Sequence, residues 1–178
     1  MQEEKVVLVD IKDNQIGLMP KMEAHHKGVL HRAFSVIIFN NDGEMMLQKR
    51  ASTKYHTPNL WSNTCCSHQR DGESNISAGK RRLEEEMGFV TELYDFSSFI
   101  YKVSFSNGLI EHEFDHIMLG VYNGEPDLNP DEVDDSKWIS IVDLCDDIEI
   151  NPDNYTCLLY TSDAADEGLG VDLGGRRI

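Results

Sequence analysis

The sequence contains no apolar run near the ~18 residues that a membrane-spanning helix needs. It opens on Met1-Gln2-Glu3-Glu4-Lys5, which is acidic and has no long apolar stretch behind it. Neither a spanning segment nor a secretory leader is expected, and a cytosolic location is. Cysteine is sparse: Cys65, Cys66, Cys145 and Cys157, with no C-x-x-C pair. Neighbours in sequence bridge poorly, so free thiols in a reducing compartment are expected rather than a disulfide scaffold. Basic charge is scarce in the second half. Residues 83–178 hold 4 Lys+Arg against 23 Asp+Glu, whereas residues 1–82 hold 12 against 9. Such a surface does not suit nucleic acid or an anionic membrane. An anionic ligand has to be captured locally, by the basic side chains of the first half and by metal ions. There is no internal repeat.

What is present fits one domain of 178 residues with a core of its own. Hydrophobic residues make up 40% and charged residues 27%, ordinary proportions for a globular chain despite a net charge of −16. A monomer is expected.

The pattern alternates strands and helices. Lys5 to Ile11 reads as a β-branched strand, Lys12-Asp13-Asn14 as a turn, and Gln15 to Leu18 as its return. Pro20 to Lys27 is a polar connection with room for one helical turn. His31 to Phe39 is apolar on both faces from Val36 on, as in a strand buried on both sides. Asn40-Asn41-Asp42-Gly43 predicts a hairpin turn with Glu44 to Arg50 returning. Along that return, Gln48 and Arg50 point one way, Leu47 and Lys49 the other. Residues 51–71 form a long loop, a feature that compact domains reserve for function or leave disordered.

A helix follows, capped by Ser74 or Asn75 and stopped by Gly88. Ile76, Leu83 and Met87 lie on one of its faces. Arg82 and Glu86, four apart, share a face beside that stripe, and Glu84 and Glu85 lie further round. Residues 89–105 hold apolar and aromatic segments. After the turn Ser106-Asn107-Gly108, Leu109 to Tyr122 is a long strand. Glu111, Glu113 and Asp115 project to one side of it, and His112, Phe114 and His116 to the other. Residues 126–135 form an acidic loop, 136–139 a short strand, and a helix begins at Ile141. The stretch from Cys157 to Ile178 has four glycines and no apolar period, so no structure is assigned to it.

The candidate chemistry gathers around Asn63-Thr64-Cys65-Cys66-Ser67-His68. His25, His31, His68, Glu111 and Glu113 are candidate ligands for a divalent cation. Imidazole with carboxylate suits Mn²⁺, Fe²⁺, Zn²⁺ or Mg²⁺. Cys66 is a candidate proton donor or nucleophile, and Cys65 has an equal claim on composition. Lys21, Arg50, Lys54 and Arg82 are candidate phosphate ligands. Taken singly, each of these residues reads more readily as an ordinary surface or hydrogen-bonded group, or as an inert thiol, so the spacing alone is weak evidence.

The run from Gly72 to Phe89 resembles a degenerate Nudix box: Arg81, Leu83, Glu85, Glu86, Gly88 and Phe89 fit its second half. Arg82 stands where the box has glutamate, and Ser67 where it has its leading glycine. Flanking segments resemble the type I isopentenyl-diphosphate isomerases. They are Lys21-Met22-Glu23-Ala24-His25, Leu30 to Ser35, Gln48 to Ala51, Leu60 to His68, Gly72 to Asn75 and Glu111-His112-Glu113. The likeness spans about residues 1–156.

It implies an α/β Nudix fold, a mixed sheet sandwiched between helices. The implied activity is interconversion of isopentenyl and dimethylallyl diphosphate. The implied catalytic residues are Cys66 and Glu113 as an acid–base pair on opposite faces of the double bond, with Tyr101 assisting Glu113. His25, His31, His68, Glu111 and Glu113 would hold one divalent cation, Mn²⁺ or Mg²⁺ or Zn²⁺, with His26 a rival for His25. Glu86 would hold a Mg²⁺ on the diphosphate, near the Cys66 carbonyl. Lys21, Arg50, Lys54 and Arg82 would bind the diphosphate itself.

Moving an alkene by protonation passes through a tertiary carbocation, which calls for a dry site and an aromatic face. Trp61 is the candidate face. A Nudix hydrolase of nucleoside diphosphate derivatives is the alternative, disfavoured by Arg82 and the Cys66/His68 pair. One departure stands out. Where the family continues after Tyr155-Thr156 into a helix with a lid aromatic, this chain reads Cys157-Leu158-Leu159-Tyr160. Residues 157–178 are therefore expected to be a non-native or disordered tail, and a diphosphate-binding remnant without activity is the further alternative.

Overall fold

A computed structural model describes residues 4–54, 57–105, 107–156 and 159. The tail expected from residue 157 lies outside the described residues apart from Leu159.

The chain opens on an antiparallel pair, β1 (Lys5–Val9) and β2 (Gln15–Pro20), joined by the expected turn. Asp10 closes that turn by accepting from the amides of Lys12 and Asn14. The polar connection is a fuller helix than one turn: α1 runs Lys21–Lys27 and turns His25 inward. Next comes β3 (His31–Phe39), the central strand, and then β4 (Glu44–Arg50).

The Asp42-Gly43 turn forms, with Gly43 at φ 78°, but the hairpin does not: β3 and β4 pair only at Phe39↔Met45. Instead β3 pairs in parallel with β8 (Ile110–Val121) from His31↔Glu113 to Phe39↔Val121. Both are apolar on two faces in their second halves, from Val36 in β3 and from Ile117 in β8, as in strands covered from both sides. β4 pairs with β9 (Val133–Ser140), which begins inside the segment expected to be an acidic loop. The long loop holds two short strands, β5 (Trp61–Ser62) on β4 and β6 (Cys65–Ser67) on β3. Residues 93–104 are one continuous strand, β7 (Leu93–Ser104), paired with β8.

Two helices cover the sheet. α2 (Asn75–Met87) is capped by Ser74, whose Oγ accepts from the Ser77 amide, and stops at Gly88 in the left-handed region at φ 70°. Its stripe works as expected: Leu83 and Met87 are fully buried with Phe34, Val36, Ile38 and Met118, and Ile76 packs beside them. On the other face α3 (Ile141–Ile150) contributes Leu144 to a smaller cluster with Met45, Leu47 and Tyr155. The alternation along β3 feeds both clusters, Val36 and Ile38 to one, Ile37 and Phe39 to the other. No helix among the described residues is long and apolar enough to cross a membrane.

Candidate active site

The site is built where β3, β8, β6 and α1 meet. Register sets it. His31 sits directly across from Glu113, Tyr101 across from Glu113 on the other flank, and Ser35 across from Cys66. Three imidazoles converge on one carboxylate oxygen. From Glu113 Oε1 the distances are 3.1 Å to His68 Nε2, 3.4 Å to His31 Nε2 and 3.8 Å to His25 Nε2. The ligand-type atoms of these four residues lie within 4.8 Å of one another, all in or near the buried interior. His26, the rival, is exposed. Glu111 lines the same cavity but stands outside the group of four, receiving the Tyr101 hydroxyl at 3.3 Å.

The donor set suits a cation. Among the described residues, His25 Nε2 and His31 Nε2 are buried with no hydrogen-bond partner. His31 Nδ1–H donates to the Val29 carbonyl at 2.9 Å, which leaves its Nε2 lone pair facing the centre. Burial pushes the His68 imidazolium down to about 4, so that ring stays neutral and able to ligate. Burial also opposes charge on His31, but the Glu113 carboxylate 3.4 Å away outweighs this and raises it. Burial alone would raise Glu113. The three imidazoles reverse that and hold its carboxyl well below the usual range. Three imidazole nitrogens and one carboxylate oxygen are a donor set that could hold a divalent cation.

Glu113 Oε2 takes the Tyr101 hydroxyl at 2.6 Å. Burial and the neighbouring carboxylates push that phenol well up, so Tyr101 donates and stays protonated. Cys66 lines the same cavity as Glu113 and Tyr101. Burial pushes its thiol up to about 12, Arg50 pulling against this and Glu86 adding to it. A thiol held protonated is a proton donor rather than a resting nucleophile. Cys65 points instead into the main core and donates to Glu86 Oε1 at 3.5 Å, which separates the two cysteines that composition left equal. The cavity has about 80 Å³ of room, several times the ~10–15 Å³ one water needs.

The basic groups divide. Lys21, Arg50, Lys54 and Arg82 all line the cavity. Arg82 reaches Glu86 Oε1 at 2.6 Å, Glu85 at 2.8 Å and Glu132 at 3.3 Å. Lys54 is also paired with Glu132. Glu86 is buried, its other oxygen taking Gln48 Nε2 at 3.0 Å. Trp61 is not brought to the cavity. Its ring lies under Lys137 Nζ at 4.5 Å and packs on the smaller cluster, because the β5 register turns it to the α3 face. The aromatic rings lining the cavity among the described residues are Phe34 and Tyr101.

Four lining residues, Phe34, Ser35, Ser67 and Asp115, escaped the sequence reading as site residues, and Asp115 is the ionisable one. Asp115 is 1% exposed, takes the Ser35 hydroxyl at 2.8 Å and leaves Oδ1 without a partner. Burial raises its carboxyl well above the usual range. Its place on the Glu111/Glu113 face was visible; its partner on β3 was not.

Residues 29–159 match the NUDIX domain model. The chain is similar to isopentenyl-diphosphate Delta-isomerase 2 of Aromatoleum aromaticum, 50% identical over 86% of this chain and 82% of that one. It is 51% identical to isopentenyl-diphosphate Delta-isomerase 2 of Photorhabdus laumondii, over 86% and 87% of the two chains. Among solved structures, DR0079 from Deinococcus radiodurans shares the fold with a TM-score of 0.72 at 18% identity, covering 87% of this chain and 94% of that one. The chain thus belongs to the NUDIX family, among its isopentenyl-diphosphate Delta-isomerases.

Proposed function

We propose that this protein interconverts isopentenyl diphosphate and dimethylallyl diphosphate by moving one C=C bond through protonation and deprotonation. The observation that carries the reading is one cavity lined by a thiol held protonated and a carboxylate held ionised, Cys66 and Glu113. The family's named activity, carried over from relatives half identical to this chain, supports it.

In the forward direction the Cys66 thiol gives its proton to the terminal alkene carbon. Glu113 removes a proton from the methylene next to the diphosphate-bearing carbon, and the double bond shifts between them. Tyr101 holds Glu113 Oε2, fixing the carboxylate against the substrate. Phe34 and Tyr101 offer the ring faces for the transient cation. Lys21, Arg50, Lys54 and Arg82 bind the diphosphate, whose attachment lies remote from the reacting carbons.

His25, His31, His68 and Glu113 would hold one divalent cation, and Glu86 a Mg²⁺ brought with the diphosphate. Bound cations supply positive charge that keeps Glu113 ionised and neutralises the phosphates.

Hydrolysis of a nucleoside diphosphate derivative is a weaker reading. Arg82 stands where the box has a glutamate, which removes one carboxylate from the box, and Cys66 and His68 line the cavity instead. Incubation with isopentenyl diphosphate and Mg²⁺ plus Mn²⁺, followed by ¹H and ³¹P NMR, tests the proposal. Dimethylallyl diphosphate with both phosphates retained is expected. Phosphate release without the isomer would overturn it.

A further inference from the structure

α1 is a weak helix by itself. It has seven residues, Pro20 at its N-cap and no side-chain cap, well short of the ~12–15 residues at which isolated helices become even marginally stable. It nonetheless carries His25, the one member of the imidazole cluster that no strand positions. His31 and Glu113 lie within β3 and β8, and His68 directly follows β6.

Its C-terminal turn is what ties it down. Gly28 adopts the left-handed region at φ 60°, and its amide returns to the Ala24 carbonyl. The turn lies flat on β8: a Cβ on Gly28 would come within 3.0 Å of Ile110 Cγ2. Two successive carbonyls of this turn are each taken by an imidazole from the sheet. His112 Nδ1–H donates to the Gly28 carbonyl at 3.0 Å, and His31 Nδ1–H to the Val29 carbonyl at 2.9 Å. A carbonyl only accepts, so both rings carry their proton on Nδ1. His31 then faces the cluster with its other nitrogen. His112 does not, because alternation along β8 turns it to the face opposite Glu113.

We propose that His112 is a positioning residue for the metal ligand His25. Its bond to the Gly28 carbonyl clips the end of α1 onto β8 and so fixes the distance from His25 Nε2 to Glu113. The proposal rests on the reading of the four-residue cluster as a cation site. Hydrogen bonds made directly to a ligand imidazole are worth roughly 10–100-fold in metal affinity, and this one acts on His25 through the backbone of α1.

The test uses Co²⁺ alone, titrated by visible absorption, on the full chain and three variants. Far-UV circular dichroism of the metal-free forms reports folding. His112→Phe keeps the ring and removes the donor. His112→Asn keeps a donor near Nδ1. Gly28→Ala strains the same turn against Ile110 without replacing an imidazole. Expected is a Co²⁺ affinity 10–100-fold lower for His112→Phe, with a spectrum approaching that of His25→Ala, a like loss for Gly28→Ala, and recovery to within a few-fold in His112→Asn. Parent-like affinity in His112→Phe, or in Gly28→Ala should His112→Phe not fold, would overturn the proposal. So would an asparagine variant as weak as His112→Phe. A parent that binds no Co²⁺ would overturn the cation-site reading along with it, whereas equal binding by parent and variants overturns the positioning role alone.

Discussion

Glu113 divides its two oxygens between two kinds of neighbour. Oε1 faces three imidazoles and Oε2 the Tyr101 hydroxyl, and burial makes each of those contacts strong because little water competes. In the same cavity, burial keeps Cys66 in the opposite protonation state. Replacing either partner should remove a proton-transfer step while leaving diphosphate binding intact. Cys66→Ala and Glu113→Gln are each expected to lower kcat by about 10²–10⁴-fold with KM little changed, measured by radiolabelled isopentenyl diphosphate turnover. Thiol chemistry gives an independent check. With a thiol pushed up to about 12, the iodoacetamide reaction at Cys66 in metal-free protein, followed by peptide mass spectrometry, should be slow at pH 8. It should climb about tenfold per pH unit as the thiolate fraction grows. A plateau below pH 9 would show that the thiol is not held protonated.

At the scale of elements, α2 shows how much local sequence can carry. Its cap, its stripe and its stop all lie within the helix, and each forms as the residues imply. Ser74→Ala should cost about 1 kcal/mol. Gly88→Ala should cost more than ~1 kcal/mol, because φ there is 70° and a Cβ would run into the Asp127 carbonyl. Urea unfolding followed by circular dichroism measures both, and a Gly88→Ala variant as stable as the parent would contradict the close approach. The β1/β2 pair and the two-faced burial of β3 were legible for the same reason, being written in turn residues and in period. The partner of β3 was not. Asp42-Gly43 signals a turn, and a turn suggests a hairpin, yet β3 prefers β8, about eighty positions away, where the apolar faces match. α1 was under-read because nothing caps its N-terminus in sequence; the sheet beneath Gly28 supplies what the sequence does not show. The acid–base and imidazole roles came from resemblance; strand register gathers His31, Glu113 and Tyr101, and α1 brings in His25. Trp61 was misplaced because a two-residue strand gives no period from which to read its face.

At the scale of the molecule, one mixed sheet is shared by two clusters, so loss of either face should unfold the whole in a single transition. A cation in the four-residue group would tie β3, β8 and α1 together. Mn²⁺ at about 100 times its Kd should therefore raise stability by ~2.7 kcal/mol, and a chelator should return the melting temperature to its metal-free value by scanning calorimetry. The net charge of −16 adds self-repulsion throughout. Raising NaCl from about 10 to 150 mM, which shortens the screening length to ~8 Å, should raise the melting temperature of the metal-free protein. The most direct measurement of the central claim is turnover of isopentenyl diphosphate in D₂O with Mg²⁺ and Mn²⁺, read by ²H NMR of the product. The account predicts dimethylallyl diphosphate carrying deuterium in a methyl group, formed by the parent and not by Cys66→Ala. Product without solvent deuterium, or undiminished labelling in Cys66→Ala, would contradict it.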